Sequence, residues 1–473
     1  MKSAVLACMF CSLAWGGHAV AQTIPRLPPP GDVAPLLSAG PAPARMKDAF
    51  TFAAAGDLII SAPMADENVA GLRDTWRLLR GADLAFANME TPPVDASGTE
   101  VFPNGDALLR GPATLAADAR AMGFGLLSLA NNHAADLGPA AVLNTRTILQ
   151  ATGIAVAGSG PTLEEARAPG VASTPKGRVA LVATASTFKP NSMAQDAQPD
   201  WPNRPGLSVL HVKQVSIVSE AEMAALRPIA IRQSYGRYLP PRADASEITL
   251  NGATYRVGPK PGVAWEMNPY DRFALLKAVS DARRSADMVV FAIHAHESDS
   301  GIDDDNPKPA DFLPRLFHDA VDAGADVVVG GGPHTNRGVE IYKGKPIFYG
   351  MGLFTMTGKA YFSQEAQIEI PADTPTAGSS DPKLGAPIGH PREWLESMVA
   401  LSDFENGRLM RVRIYPLTLK ADADPAKRGR PIIAQGGEAV RLLKLLQRDS
   451  QQFGTRIDIV NGVGLIELAS QPH

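Results

Sequence analysis

Carboxylate, amide and imidazole side chains follow five short apolar runs of the sequence. They are Asp57 after 50–55, Glu90 after 82–87, Asn132 and His133 after 124–130, His294 and His296 after 287–293, and His334 after 325–329. Short apolar runs of this kind are typical of buried strands, and ligands bind beyond the carboxyl ends of the strands in open α/β sheets. We therefore expect these side chains to meet at one edge of one sheet.

Taken one at a time, these residues have simple structural explanations, such as a turn after a strand or a buried histidine. The pair His294 and His296 is more informative, because a spacing of two places both rings on the same face of a strand. Both cysteines, Cys8 and Cys11, lie in the first 21 residues, where we predict a signal peptide. Carboxylate, amide and imidazole ligands without thiolates suit Mn, Fe or Zn, so we predict one or two such divalent ions.

The order of apolar runs and helical patterns predicts an α/β protein. Two further apolar runs, 178–185 and 346–350, complete the set, and amphipathic stretches alternate with them. The expected helices are 69–80, 139–152 and 437–449, with a capping box from Thr162 to Glu165. Asn406-Gly407 predicts a hairpin turn.

The sequence also predicts how the chain is divided. Residues 1–21 are typical of a cleaved signal peptide, with Lys2, an apolar stretch and Ala19-Val20-Ala21 before the cut. A Pro-rich linker follows at 22–47, the main domain is expected at 48–357, and a C-terminal extension at 358–473 packs on it. The segment 187–268 interrupts the alternation and predicts an insertion, with a short helix near 218–227 and a hairpin at Asn251-Gly252.

The predicted signal peptide leads us to expect the mature protein in the periplasm or outside the cell. After the signal peptide no apolar run approaches the ~20 residues that a membrane-spanning helix needs. The formal net charge of −4 indicates no basic surface for nucleic acid.

Several of these motifs together resemble the CapA family of poly-gamma-glutamate capsule synthesis proteins. The matching blocks are GD at 56–57, NMET at 88–91, LANNHAADLG at 129–138, RPGL at 204–207, HAHE at 294–297, DAGADVVVGGGPH at 322–334 and GVEIYKGKPIFYGMGLF at 338–354. The resemblance implies a calcineurin-like metallophosphoesterase fold, a four-layer α/β/β/α sandwich in which helices flank two stacked mixed sheets. It also implies a role in capsule synthesis and metal-assisted hydrolysis in the cell envelope.

The resemblance assigns roles to individual residues. The metal ligands would be Asp57, Glu90, Asn132, His294 and His334, with His296 as a further candidate. His133 would face the substrate, with Asp136 as its partner. Arg204 and Arg337 are candidates to bind an anionic substrate, which would be an envelope polymer or a phosphoester.

The chain departs from the family at the candidate site. Gly331 and Gly332 stand where the family usually has a histidine, Ile59 stands where the superfamily usually has another, and His296 stands where the family often has glycine. Three functions stay open at this point: a metallohydrolase, a non-catalytic assembly or export factor that works with the capsule synthesis machinery, and a binding protein for an envelope anion. The glycines favour the second, and the NNH and HxH motifs favour the first.

Overall fold

The structure is a computed structural model. It describes residues 31–37, 45–46, 48–95, 108–233, 244–357, 361–362, 392–420 and 428–468. The predicted signal peptide, most of the predicted linker, and His390 and His473 lie outside the described residues. Among the residues described, no helix has the length and apolar character needed to cross a membrane.

The larger of the two main sheets has ten strands. In spatial order, eight of these strands are Asp458–Val460, Val463–Glu467, Arg408–Thr418, Glu396–Glu405, Phe50–Ile59, Leu84–Asn88, Phe124–Ser128 and Ala155–Ala157. The other two strands are Leu353–Met356, which pairs with Phe50–Ile59, and Ile432–Ile433, which pairs with Arg408–Thr418. The four neighbouring strands from Phe50–Ile59 to Ala155–Ala157 run parallel. Their carboxyl ends therefore lie at the same edge of this large sheet.

The smaller main sheet has six strands. In spatial order they are Val339–Tyr342, Lys345–Phe348, Val327–Gly331, Met288–His294, Gly177–Ala185 and Gly170–Thr174. The central strands Val327–Gly331, Met288–His294 and Gly177–Ala185 are parallel to one another. The small sheet thus also gathers several carboxyl ends at one edge.

Alternating side chains explain why the two sheets stack. On Phe50–Ile59, Phe52 and Ala54 belong to the core between the sheets, together with Leu181 and Val290 of the small sheet. The intervening residue Ala53 faces the helices on the outer side of the large sheet. A strand with apolar side chains on both faces must be covered on both sides.

Helices cover the outer face of each sheet. Trp76 and Leu115 come from helices that pack on the large sheet, whereas Leu276 and Phe317 come from helices that pack on the small sheet. The α-helices are Ala34–Leu37, Leu72–Arg80, Leu115–Met122, Gly138–Ala151, Leu163–Arg167, Glu220–Gln233, Pro269–Ser285, Phe312–Asp322 and Gly436–Ser450. Short 3-10 helices span Arg392–Leu395 and Gln451–Phe453.

The predicted four-layer α/β/β/α sandwich is confirmed by this arrangement. The expectation that all five strand ends lie on one sheet is wrong. Phe50–Ile59, Leu84–Asn88 and Phe124–Ser128 belong to the large sheet, whereas Met288–His294 and Val327–Gly331 belong to the small one. Strand patterns do not reveal sheet membership, because both sheets bury apolar side chains on both faces.

The segment predicted as an insertion, 187–268, contains a separate four-stranded sheet. Its strands, in spatial order, are Glu247–Leu250, Ala253–Val257, Val212–Val218 and Gly262–Met267. The helix Glu220–Gln233, longer than the predicted 218–227, packs on this sheet through Met223 and Ile248.

The predicted local turns and caps are largely confirmed. Asn251 and Gly252 have φ of 51° and 85°, and Asn406 and Gly407 have φ of 49° and 74°, as a two-residue hairpin turn requires. The Thr162 side chain accepts a hydrogen bond from the Glu165 backbone amide.

Short strands of two residues lie outside the three larger sheets. In the part of the chain that the structure describes, they are Pro93–Val94, Leu108–Leu109, Gly111–Pro112, Ser159–Gly160, Gly206–Leu207, Glu297–Ser298, Gly301–Ile302 and Tyr361–Phe362.

Candidate metal centre

The carboxyl ends of the two sheets face each other across the candidate site. In the large sheet Asp57 is directly opposite Asn88, and in the small sheet His294 is directly opposite Gly331. The Asn88 side-chain amide nitrogen connects the two sheets, because it lies 2.8 Å from Asp57 Oδ1 and 3.2 Å from His294 Nδ1. Strand pairing within each sheet and stacking between them therefore bring distant residues together.

A close approach of backbone fixes Asp57 in place. The strand Phe50–Ile59 has an irregularity between Ala54 and Asp57, and a Cβ on Gly56 would lie 1.9 Å from the carbonyl oxygen of Gly352. Only glycine fits between these two backbones. The Gly-Asp pair thus positions the carboxylate at the sheet edge.

Glu90 carries a buried carboxylate that the protein does not satisfy. The residue is completely buried, and neither side-chain oxygen accepts a hydrogen bond from any described residue. A buried carboxylate without partners is strongly unfavourable unless it is neutral or faces a cation. Burial, followed by the charges of Asp57, Asp304 and Asp136, raises the pKa of Glu90 well above its usual value.

Two histidines from the small sheet lie beside Glu90. Glu90, His294 and His296 are all buried, and each offers a ligand atom within 4.8 Å of the other two. The Nε2 atoms of His294 and His296 are 3.0 Å apart, and the side-chain oxygen of Asn132 is 2.9 Å from His294 Nε2. These four side chains surround one position, and three of them form a buried group able to bind a metal ion.

The charge state of His294 fits a metal ligand. Burial, followed by the charges of His296, His133 and His334, lowers the pKa of His294 well below its usual value. A neutral imidazole is the form that binds metal ions. A divalent cation would also compensate the Glu90 carboxylate, so the donor set and the burial both fit such an ion.

Asp57 differs from Glu90 although it is equally buried. Its Oδ1 accepts a hydrogen bond from Asn88, and its Oδ2 accepts one from the Gly332 backbone amide at 3.0 Å. Burial raises the pKa of Asp57 to about 6, although these two hydrogen bonds act in the opposite direction. Asp57 is therefore already satisfied by the protein itself.

The glycines at 331 and 332 lie in close contact with the groups around Asp57 and His296. A Cβ on Gly331 would lie 3.0 Å from Asp57 Oδ1, so a side chain at this position would point toward that carboxylate. Gly332 has φ of 108°, and a Cβ there would meet the Ala295 backbone nitrogen at 2.8 Å and the His296 ring at 3.2 Å. The His296 ring thus packs against the backbone that these glycines leave bare.

His133 is held by a chain of buried polar contacts. Its Nδ1 lies 2.8 Å from Asp136 Oδ2, and its Nε2 lies 4.0 Å from Glu90 Oε1. Asp136 also accepts hydrogen bonds from the Leu109 backbone amide and the Lys189 ammonium group. The ring is therefore anchored at Nδ1, and its Nε2 lies on the side of the metal group.

His334 lies at the periphery of the group. Its ring centroid is 5.8 Å from that of His296, and its Nδ1 is 3.7 Å from Asp304 Oδ2. The Trp394 ring packs edge-on against His334 with centroids 4.1 Å apart. His334 thus lies beside His296 but outside the compact group of Glu90, His294 and His296.

The two predicted anion-binding arginines make contacts with backbone carbonyls. Arg204 donates from Nε and Nη2 to the Met193 carbonyl within its own loop. Arg337 is completely buried and donates to the carbonyls of Glu297 and Asn306. Their role toward a substrate stays a prediction.

Two further histidines, His318 and His211, pair with carboxylates outside the group of Glu90, His294 and His296. His318 Nε2 lies about equally close, at 2.9 and 3.0 Å, to the two carboxylate oxygens of Glu340, and His211 Nδ1 lies 2.7 Å from Asp271 Oδ2. Both pairs are consistent with structural roles.

Sequence reasoning missed several residues at the site. Lys189 follows the end of the strand Gly177–Ala185, so the strand-end rule could have found it. Asp304 belongs to an acidic run, 303–305, which is typical of a solvated loop. Trp394 belongs to the short 3-10 helix Arg392–Leu395 in the C-terminal part of the chain, and no sequence pattern around it indicates a functional site.

Comparison with known proteins places the chain among capsule synthesis proteins. The sequence profile of the family described as "Bacterial capsule synthesis protein PGA_cap" matches residues 51–357. Two Sinorhizobium fredii proteins, named as uncharacterized proteins y4sH and y4uA, are each 36% identical over 442 residues, which cover 89% of this chain and 94% of theirs.

Two named capsule proteins match over a shorter segment. The PGA biosynthesis protein CapA of Bacillus subtilis is 37% identical over 94 residues, and the capsule biosynthesis protein CapA of Bacillus anthracis is 38% identical over 99 residues. Each match covers 20% of this chain and 22% of the relative. The family profile, by contrast, spans the small sheet, the parallel strands of the large sheet and the candidate metal centre, and the chain therefore belongs to the PGA_cap family of bacterial capsule synthesis proteins.

Proposed function

We propose that this protein is an exported, metal-dependent hydrolase that serves capsule polymer synthesis in the cell envelope. The observation that carries the proposal is the Glu90 carboxylate, which is fully buried, accepts no hydrogen bond from a described residue, and lies beside two buried histidines. A divalent cation is the partner that best satisfies this group.

Glu90, His294 and His296 would hold the ion, with the Asn132 side-chain oxygen next to His294. Asp57 and His334 are further proposed ligands. Mn, Fe or Zn suit this mixture of carboxylate, amide and imidazole donors. When bound, such an ion supplies Lewis-acid chemistry toward a phosphoryl or carbonyl oxygen.

His133 is the proposed proton donor to the leaving group. Asp136 anchors its Nδ1, which leaves Nε2 facing the metal group and able to hold or transfer a proton there. Lys189 and the Leu109 amide hold Asp136 in turn. The His133 ring is thereby oriented before any substrate arrives, which lowers the entropic cost of reaction.

The proposed location and substrate follow from the signal sequence and the family. Cleavage after Ala21 would deliver the protein to the periplasm or beyond, where an anionic capsule polymer or a phosphoester of the envelope would be its substrate. N-terminal sequencing of exported protein tests the location. A mature chain that starts at Gln22 is expected, and a retained 1–21 segment in the envelope would contradict it.

The activity is tested with His133→Asn. This change should leave metal content and thermal stability nearly unchanged, and it should lower the turnover of a generic phosphodiester by about 10²–10⁴-fold. His318→Asn is a matched control, because His318 also pairs with a carboxylate but lies on the helix Phe312–Asp322. Equal activity of the two variants would contradict the role of His133.

A second candidate function is a non-catalytic assembly or export factor on the same scaffold. Gly331 favours it, because no side chain at this position completes the ligand set around Asp57. A rescue experiment separates the two functions: His133→Asn is expressed in a deletion strain and capsule polymer is measured. Failed rescue with intact metal content would support the hydrolase, whereas full rescue would support the assembly factor.

A further inference from the structure

The loop 297–306 brings a carboxylate to the outer side of the histidines. Asp304 Oδ1 is in hydrogen-bond contact with His296 Nδ1, and Asp304 Oδ2 lies 3.7 Å from His334 Nδ1. The side chain of Asp304 is 29% exposed, and both histidines are buried. One carboxylate thus faces two candidate ligands that follow the adjacent strands Met288–His294 and Val327–Gly331 of the small sheet.

The contact with Asp304 fixes which nitrogen of His296 is available. A neutral imidazole that donates from Nδ1 to a carboxylate keeps the lone pair on Nε2. That Nε2 faces His294 at 3.0 Å and belongs to the group with Glu90. Carboxylates that bond the outer nitrogen of a metal-binding histidine orient the ring and strengthen it as a ligand.

Arg337 holds the loop that carries Asp304. Its guanidinium donates to the Glu297 carbonyl at 2.9 Å and to the Asn306 carbonyl at 3.2 Å, so it ties the two ends of the loop together. The Asp303 backbone amide returns to the His296 carbonyl at 3.2 Å. Arg337 is also the buried positive charge beneath the acidic residues Asp299, Asp303 and Asp304.

A second anchor comes from the C-terminal part of the chain. The Trp394 indole nitrogen donates to Asp305, and its ring packs against His334. Hydrogen bonds from Arg337 and from Trp394 therefore both hold this loop. Such anchoring on both sides is what a positioning carboxylate requires.

We propose that Asp304 is a positioning residue for the cation site, which orients His296 and His334, and that Arg337 fixes the loop that places it there. This inference rests on the proposed function, because it assumes that Glu90 and the histidines hold a divalent ion. It adds a residue outside the ligand set and gives the buried Arg337 a role in holding the loop.

The test is a titration of the full-length mature protein with Mn²⁺, in which electron paramagnetic resonance reports the free ion. Asp304→Asn removes the charge with little change in shape, and it should weaken Mn²⁺ binding by about 10–100-fold. Asp299→Asn is the matched control, since its carboxylate lies in the same loop and accepts from Asn306. It should bind Mn²⁺ within about twofold of the wild type.

Arg337→Lys provides an independent variant. Lysine keeps the charge but cannot donate in two fixed directions, so binding should weaken in the same direction as in Asp304→Asn and by a smaller factor. A changed spectrum of the bound Mn²⁺ in both variants would show an altered ion environment, which a general loss of stability would not produce.

The outcomes separate this inference from the proposed function. Wild-type protein that binds no Mn²⁺, Fe²⁺ or Zn²⁺ would overturn the proposed function. Tight binding by the wild type and by both Asp304→Asn and Arg337→Lys would overturn only the role of Asp304. Equal weakening in Asp304→Asn and Asp299→Asn would also overturn it, because the effect would then come from loop charge in general.

Discussion

Two buried carboxylates on neighbouring strand ends differ in what satisfies them. Asp57 accepts hydrogen bonds from Asn88 and from the Gly332 backbone amide. Glu90 accepts none from a described residue and lies instead beside His294 and His296. We call Asp57 with its donors Asn88 and Gly332 the amide side of the site. Glu90 with His294 and His296 is the histidine side.

The different hydrogen bonding of Asp57 and Glu90 indicates which carboxylate needs a cation. On the amide side the protein compensates the carboxylate with its own donors, so the folded chain is satisfied without an ion. On the histidine side no described residue donates a hydrogen bond to the carboxylate. The charges of Asp57, Asp304 and Asp136 add to the cost of its negative charge. We therefore expect one tightly held ion on the histidine side and weaker binding near Asp57.

The largest effect is expected from removing the unsatisfied carboxylate. Glu90→Gln should weaken binding of Mn²⁺ by more than about 100-fold, above the range typical of residues outside the ligand set. Asp57→Asn should weaken it by about tenfold or less, because the ion on the histidine side keeps its ligands. Calorimetric titration measures both, and equal losses would contradict the difference between the two sides.

His296 and His334 also differ in how close they lie to Glu90 and His294. His296 belongs to the compact group with Glu90, whereas His334 lies farther out beside Trp394. His296→Ala should therefore lower the metal content of the purified protein more than His334→Ala does. Elemental analysis of the two variants decides this, and a greater loss in His334→Ala would place the main ion on the amide side.

These expectations show how much of the site the sequence predicts. The strand-end rule finds Glu90, His294 and His334, because the carboxyl ends of parallel strands meet at an edge. The spacing of two between His294 and His296 predicts a shared face, and their Nε2 atoms do meet, although the strand ends at His294. These residues were predictable because regular strands fix the direction of their side chains.

The rest of the site depends on contacts that no local pattern records. Asp304 reaches His296 only because its loop folds back and is held by Arg337 and Trp394. The division of the strand ends between two sheets was also mispredicted, because a strand buried on both faces gives the same pattern in either sheet. Non-local packing, more than local preference, therefore decides which residues complete the site.

A stability measurement tests whether Asn88 is what satisfies Asp57. Asn88→Ala would leave Asp57 Oδ1 without its Asn88 donor and remove one of the two acceptors of the Asn131 side-chain amide. The metal-free protein should lose about 1–3 kcal/mol in the free energy of unfolding. Denaturant unfolding measures this loss.

Asn144→Ala is the control for that experiment, because Asn144 also pairs with an aspartate, Asp95, but in an exposed position. It should change the unfolding free energy by no more than about 0.5 kcal/mol. Similar values for the two variants would mean that burial of the Asp57 pair does not matter.

The smallest effect is expected from adding a ligand to the amide side. Gly331→His would direct an imidazole toward Asp57, because a Cβ at this position would lie 3.0 Å from Oδ1. Weak binding of a second ion should become measurable in this variant. Gly331→Ala adds the same Cβ without the ring and is the control. A second-ion affinity of Gly331→His equal to that of Gly331→Ala would contradict the expectation.

The central claim is that the principal ion lies on the histidine side, and anomalous X-ray diffraction from crystals grown with Mn²⁺ tests it most directly. The account predicts one dominant anomalous peak among the side chains of Glu90, His294 and His296, with a weaker peak or none near Asp57. A dominant peak between Asp57 and His334, or crystals that bind no Mn²⁺ at these residues, would contradict it.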